Sequence, residues 1–410
     1  MSRKMTLHHP SSGTTELRPR SVIILLGSLN GLMPFTTDLY LPAFPAIARH
    51  FQTDIGLVTL SMSSFFIGSC VGQIINGPVL DRFGRKYPML LGLSLFLLAS
   101  LGCALAPSIE WLISLRFFQA LGISMCAVGS RAVVRDIFPV DQTASIFSTL
   151  ALIMGVAPII APSVGSWVLY YFDWRSIFFL LAIMAAVLFF ALYRWLPHVK
   201  RSDANYSLHP KAVLGNYWSV LRTPNFLAYS LVAAMASAAL FAWISSSSFI
   251  FIRLLGLTEQ QFGWVFATTA SCLILSNQLN RILLKKFRSE QIALVAAIVQ
   301  LLVCGGLFLI VQYAFNVPIL LLGLCAFMLC LGLITPNAMA LALRPFTQNV
   351  GSATAMMGSI QMACSALTTA GLSYFQKGSA LPMVVAMMGI ISVSIGVQYW
   401  VRSKNKALES

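Results

Sequence analysis

Of the twelve acidic residues in this chain (Glu16, Asp38, Asp54, Asp81, Glu110, Asp136, Asp141, Asp173, Asp203, Glu259, Glu290 and Glu409), only Asp38 falls inside a long apolar run, within LMPFTTDLYLPAFP at 32–45. A carboxylate deep in a bilayer costs roughly 2.5 kcal/mol or more, so an acid kept there points to a task such as taking up and releasing a proton. Arg116 lies in another apolar run, with Gln119 three residues further along the same helical face. Asp38 and Arg116 each stand about five residues from the same membrane surface, or ~8 Å deep at helical rise. They could meet directly, through water or through Gln119. Burial disfavours a carboxylate's charge and a guanidinium favours it, which together describe a group able to exchange a proton in the working range. The plainer alternative is that Asp38, flanked by PFTT and LYLP, closes a break in its helix and bonds freed backbone groups, while Arg116 clamps carbonyls. Arg131, in the same run as Arg116, reads as structural or snorkelling. The five histidines (8, 9, 50, 198, 209) all lie outside the apolar runs, so no buried histidine relay is expected.

The elements that must position these groups are membrane helices. Only 10% of the 410 residues are charged and 58% are hydrophobic, against about a quarter charged in soluble domains. Apolar runs long enough to cross ~30 Å of hydrocarbon recur at 22–42, 57–79, 87–107, 111–133, 146–171, 175–196, 224–247, 262–282, 291–313, 317–341, 352–373 and 381–401. The first follows Arg18 and Arg20 as a secretory signal would, but no small-residue cleavage site follows it and it is expected to be retained. The net charge of +15 raises nucleic acid as a partner until its distribution is read. With the amino terminus inside and Arg116 and Arg131 of the fourth span set aside, 21 of the other 25 basic residues fall on the inner side. That is the positive-inside pattern with both ends cytoplasmic, and no nucleic-acid partner is expected. The eight cysteines sit within the runs and read as packing residues.

The longest polar interval, 194–225, divides the spans six and six, and its YSLHPKAVLGNYWSVLR portion reads as a short helix on the inner surface. The expected organisation is a tail (1–21), a six-helix bundle (22–196), a linker (197–223), a second six-helix bundle (224–401) and a tail (402–410). Gly and Pro recur inside spans, as in GVAPIIAPSVG (155–165) and LGLITPNAMA (331–340), where they permit close contact or bending. No G-x-x-x-x-G-K-[ST] phosphate loop exists, nor any Gly-Lys dipeptide or H-E-x-x-H zinc motif. An ion gradient therefore fits as the energy source better than nucleotide hydrolysis, no cofactor or metal is expected, and an enzyme is not expected.

Between spans 2 and 3 stands GPVLDRFGRKYPML, 77–90. Gly77 is expected to let helices approach closely, Gly84 to permit a sharp turn, and Asp81 at a helix end to accept from Arg85. Gly77, Asp81, Arg82, Gly84, Arg85 and Lys86 resemble the G-x-x-x-D-R-x-G-R-[RK] signature of the major facilitator superfamily. LRFFQALG (115–122) resembles its second motif, whose arginine, here Arg116, is implicated in proton coupling. GVAPIIAPSVGSW, with Gly155, Pro158, Pro162 and Gly165, is similar to the antiporter motif, although the usual closing Gly-Gly is Gly165-Ser166 here.

A closer resemblance, spanning the first to the last membrane run, is to the bicyclomycin/chloramphenicol resistance group of drug:proton antiporters. It rests on MPFTTDLYLPAFPAIARHF (33–51), SRAVVRDIFP (130–139) and WRSIFFLLA (174–182). The resemblance implies Asp38 as the protonation site. It also implies an inner charge cluster of Asp81, Arg85 and Asp136 that holds the bundles together in the outward-facing state. LNRILLKKFRSEQ (279–291) lacks the Asp and Gly pattern, so no second-half counterpart is inferred. Some exporters of the broader class carry a second acid two turns before the first, where this chain has Asn30, so neutral, zwitterionic or monocationic cargo is expected over dications.

The expectation is thus an all-α major facilitator fold of twelve helices, working as a monomer in the lipid of a bacterial inner membrane. It would export small drug-like molecules or metabolites in exchange for protons. A proton-coupled importer of a nutrient or metabolite is the alternative, and a non-transporting receptor or scaffold a third reading. Candidate cavity residues are Asn30, Tyr40, Gln119, Trp243, Asn337 and Gln361, each equally readable as interhelical packing. The SSSS run at 245–248 reads as a flexible outer end of span 7.

Overall fold

The structure, a computed structural model, describes residues 19–196, 210–313, 315–346, 350–375 and 378–409. Most of the expected amino-terminal tail and residues 197–209 of the linker lie outside the described residues. The helices follow in order as α1 (Pro19–Asp38), α2 (Phe44–His50), α3 (Ile55–Phe83), α4 (Lys86–Ala104), α5 (Ile109–Ile137), α6 (Val140–Tyr171) and α7 (Arg175–Trp195). Then come α8 (Pro210–Leu221), α9 (Pro224–Ser248), α10 (Glu259–Leu283), α11 (Ser289–Tyr313), α12 (Val317–Leu343), α13 (Val350–Phe375) and α14 (Leu381–Glu409). Each of the twelve apolar runs coincides with a helix of 19 residues or more, and α8 falls on the linker. The last helix runs on to Glu409, through the stretch expected as a tail after 401.

Ten spans among the described residues are long and apolar enough to cross a membrane, so the chain is an all-α polytopic membrane protein. The two long helices that fall short are α10 and α13, and packing against the first half accounts for part of the polarity of α13. In residues 19–196, α3 packs on α5, α4 on α5 and α7, and α1 on α6; in 210–409, α9 packs on α12, α13 and α14, and α11 on α12 and α14. The halves meet where α13 lies along α3 and α10 along α6. Ser63 Oγ and Thr369 Oγ1 are 2.7 Å apart across the α3–α13 seam, Ser359 Oγ donates to the Cys70 carbonyl at 3.3 Å, and Phe66 meets Phe241 of α9 at 4.3 Å. Ser359 and Thr369 of α13 thus have partners in the opposite half rather than facing lipid.

Span 1 does not run straight through 22–42. Pro42 and Pro45 carry no amide hydrogen to return to residues 38 and 41, so the helical ladder lapses. α1 stops at Asp38, a 3₁₀ turn follows at Leu41–Ala43, and α2 continues to His50. Asp38 therefore sits at a break in the first span.

The four serines at 245–248 correct another expectation. All are fully buried at the end of α9, because a helical serine can turn its hydroxyl onto the preceding turn. Ser245 donates to the Ala242 carbonyl at 3.4 Å and Ser247 to Ile244 at 2.6 Å. A π-helical turn, Phe249–Leu254, carries the chain on.

Candidate functional site

Asp38, the last residue of α1, is 2% exposed. The Thr37 hydroxyl lies 2.9 Å from Asp38 Oδ1 and 3.0 Å from the Pro34 carbonyl. It has one hydrogen for two acceptors. Thr36 turns its own hydroxyl back onto Leu32 at 2.6 Å, and its carbonyl lies in the last turn of α1, where the helix supplies no regular donor.

Arg116 of α5 supplies one. Its Nη1 reaches the Thr36 carbonyl at 3.4 Å and donates to Gln119 Oε1 at 2.6 Å. A cation on a helix C-terminus complements the dipole, so Arg116 caps the helix that ends in Asp38. The guanidinium is fully buried, its Cζ 4.7 Å from the Tyr40 ring centroid and 4.5 Å from that of Phe65, with Nε and Nη2 unpartnered. Gln119 is fixed in turn, donating to Ser100 Oγ at 2.8 Å, and Ser100 donates to the Phe96 carbonyl at 2.7 Å. This α4–α5 contact is possible because Gly92 and Gly122 face each other: a Cβ on either would come within 2.6 or 2.5 Å of the other's carbonyl oxygen. Ser61 donates to Val58 at 2.6 Å, so the Tyr40 hydroxyl is the donor in its 3.0 Å bond to Ser61.

The direct meeting of Asp38 and Arg116 is therefore replaced by an indirect one. The arginine holds the backbone two residues before the acid, and Gln119 turns to Ser100 rather than bridging to the carboxylate. Sequence reasoning missed Thr36, Thr37, Phe65 and Ser100; the adjacent threonines before Asp38 were the available signal, and Phe65 had none.

At the opposite end of α3, Gly84 adopts φ 80°, ψ −176°, a region essentially confined to glycine. This turn brings Arg85 Nη1 to Asp81 Oδ1 at 2.7 Å and Arg85 Nε to Asp136 Oδ2, at the end of α5, at 2.9 Å. Burial pulls the Arg85 pKa down, but its bonds to Asp136 and Asp81 outweigh this and hold it above the ordinary arginine value. All three residues belong to the first half. The Asp81 side chain is 44% exposed and that of Asp136 8%. Loss of a partner from a buried pair costs about 3–5 kcal/mol, and from an exposed pair about 0–1 kcal/mol. Unfolding in detergent should therefore show Asp136→Asn strongly destabilised and Asp81→Asn nearly unchanged, so that any turnover defect in the latter reflects gating rather than folding. Equal destabilisation of the two would contradict this division.

Gly77 does not serve a close helix contact: the atom nearest a Cβ there is the Tyr217 hydroxyl at 3.7 Å. Gly165 does, since a Cβ would overlap the Leu39 carbonyl beside Asp38. Pro158 and Pro162 lie inside α6, and Gly155 faces Ile274 at ordinary distance. Ser166 Oγ lies 2.8 Å from the Pro162 carbonyl and 2.7 Å from that of Glu259 in the second half.

Most of the other cavity candidates are committed to internal bonds. Asn30 donates to Leu26 at 2.8 Å, and Asn337 donates to Asn280 Oδ1 at 2.7 Å and to Leu333 at 2.8 Å. Trp243 packs on Phe251 with its indole N–H unpartnered, and Gln361 accepts from Ser237 at 3.3 Å while its amide nitrogen has no partner. Arg131 donates to the Ala127 carbonyl at 3.1 Å, a structural bond. Among the described residues no three His, Cys, Asp or Glu gather as metal ligands.

Comparison with known proteins places this architecture. The chain is 29% identical over 389 residues to a bicyclomycin resistance protein homolog of Haemophilus influenzae, covering 93% of this chain and 96% of the relative. It is 27% identical over 390 residues to a chloramphenicol resistance protein of Pseudomonas aeruginosa (92% and 90%), and 28% identical over 330 residues to the multidrug transporter MdfA of Escherichia coli O6:H1 (79% and 79%). The fold is shared with a D-xylose-proton symporter, at a TM-score of 0.76 and 15% identity over 92% of this chain and 97% of that one. A family model described as the Major Facilitator Superfamily matches residues 26–369. The chain belongs to the Major Facilitator Superfamily: it is a multi-pass bacterial membrane transport protein related to the bicyclomycin and chloramphenicol resistance proteins and to MdfA-like multidrug transporters.

Proposed function

We propose that this protein is a proton-coupled secondary transporter of small organic molecules, with Asp38 as the proton carrier. In this reading twelve spans form two six-helix bundles, residues 22–196 and 224–401, that alternate access to a site between them. The observation that carries the reading is Asp38 itself: a buried carboxyl at a break in α1, whose helix end is capped by a buried arginine. When Asp38 is charged the Thr37 hydroxyl donates to it; when a proton arrives that hydroxyl can turn to Pro34 without loss. Protonation then drives transport insofar as the two conformations bind the proton unequally. The charge distribution supports cytoplasmic termini, with the Asp38 end of α3 outside and the Arg85 end inside. The seam around Gly56 and Ser373, where a Cβ on Gly56 would overlap the Ser373 carbonyl, then seals the outer face. Asp81, Arg85 and Asp136 act as the inner gate.

Two directions of transport follow from the same machinery. Export in exchange for protons is supported by the resistance names of the relatives. Uptake with protons is supported by the altered antiporter motif, where Ser166 replaces glycine and bonds across the halves to Glu259, and by a fold that also serves a proton symporter. Inside-out vesicles with an acid lumen separate them. For antiport, chloramphenicol, a bicyclomycin-like compound or a monocationic dye added to the bath speeds proton efflux. For symport, a sugar such as D-xylose or another metabolite speeds it only when loaded in the lumen. No response from either side with folded protein would overturn the proposal.

A further inference from the structure

We infer that the linker helix α8 is a working part of the conformational cycle: Tyr217 ties the second half to a proline break in α3, in a bond made in only one of the two conformations. The inference rests on the alternating-access reading. Pro78 lies inside α3; it has no amide hydrogen, so the carbonyl four residues earlier, that of Ile74, loses its helical donor. The Tyr217 hydroxyl donates to that carbonyl at 2.9 Å. Tyr217 is 5% exposed and packs in a core with Val220, Phe226, Tyr229 and Met357, while α8 lies against α9 and α13. A side chain carried by the second half thus fills a gap in the first half's backbone. Gly77 lies beneath the hydroxyl, and Asp81 of the charge cluster is one turn beyond Pro78.

The Ile74 carbonyl is fixed in α3, whereas Tyr217 moves with α9 and α13. A hydrogen bond fails within a fraction of an ångström of stretch, so relative movement of the halves at this end makes or breaks it. Because the bond joins the halves at the inner end, it belongs to the conformation closed on that side, and its loss favours the one that opens inward with the seam beside Asp38 shut. Tyr217 is therefore a positioning residue that sets the balance between conformations.

The test is hydrogen exchange of the full-length protein in lipid nanodiscs, followed at 55–66 and 365–373 on the closed seam. Tyr217→Phe should lower exchange there by about three- to tenfold, the population shift expected from one net hydrogen bond. Pro78→Ala supplies the missing amide to Ile74, so in that background Tyr217→Phe should change nothing. No change in the Pro78 protein, or an equal change in both backgrounds, overturns the inference. Exchange rising throughout the chain would mark general destabilisation and also overturns it. If the predicted cycle holds but no compound is transported, the transport reading fails and the Tyr217 link stands.

Discussion

Asp38→Asn should abolish proton-driven accumulation of substrate while leaving the protein folded. Asparagine matches the carboxyl in shape, can accept the Thr37 hydrogen bond that Asp38 Oδ1 accepts now, and removes a charge that is costly to bury. Stability should hold or rise. Coupling should vanish, because a proton shifts a conformational equilibrium only through unequal affinity for the two states, and no other acid of this chain lies within the expected spans. Substrate should still equilibrate, so counterflow of labelled substrate between equal pools continues while uphill accumulation falls to none. Uphill accumulation by a well-folded Asp38→Asn protein would place the proton elsewhere.

Arg116 should separate stability from function. It is buried, bonded through Nη1 only, and stacked between Tyr40 and Phe65 with two donor nitrogens unsatisfied. Lysine keeps the charge but loses the planar group. A desolvated cation–aromatic contact is worth about 2 kcal/mol, so Arg116→Lys should lose roughly thirtyfold in the folded-to-unfolded ratio. Arg116→Met fills the space and removes the orphaned donors. It also leaves Gln119 Oε1 and the Thr36 carbonyl without their donor, a cost of about 1–3 kcal/mol that offsets the relief of removing a buried charge, so this variant should melt near the wild type. It should nonetheless lose at least about tenfold in proton-coupled flux, since the helix end beside Asp38 loses its capping cation. Thermal unfolding in detergent, paired with vesicle flux, checks both halves; full transport by Arg116→Met would remove the arginine from the coupling site.

How far the sequence revealed this site depended on what each feature rests on. The Asp81–Arg85 bond was legible because a glycine turn directly after a helix end can fold an arginine back onto an acid of the last turn. Asp136 came from resemblance alone, as nothing local marks a residue 51 positions away. Rise per residue led to the expectation that Asp38 and Arg116 stand near one another, and Arg116 does reach the backbone two residues before Asp38, yet a long side chain there had several acceptors within reach. Packing by Phe65 and the open carbonyl of Thr36 decided among them, and neither leaves a periodic trace. The buried serines of α9 were misread because hydroxyls count as polar even where, as at Ser245 and Ser247, the preceding turn satisfies them. α13 was expected as a span from its apolar run, and the role of its polar residues Ser359 and Thr369 became readable only once their partners in the other half were known.

Whether Asp38 carries the transported proton is measured most directly by proton exchange on substrate binding. Purified protein in weakly buffered detergent solution near neutral pH is mixed with a saturating compound that passes the vesicle test, and a pH indicator records the change. Wild type should release up to about one proton per chain, the capacity of a single carboxyl, if substrate and proton compete, or take up as much if they bind together. Asp38→Asn should do neither while binding the same compound. Equal proton exchange by the two proteins would contradict the assignment of Asp38 as the carrier.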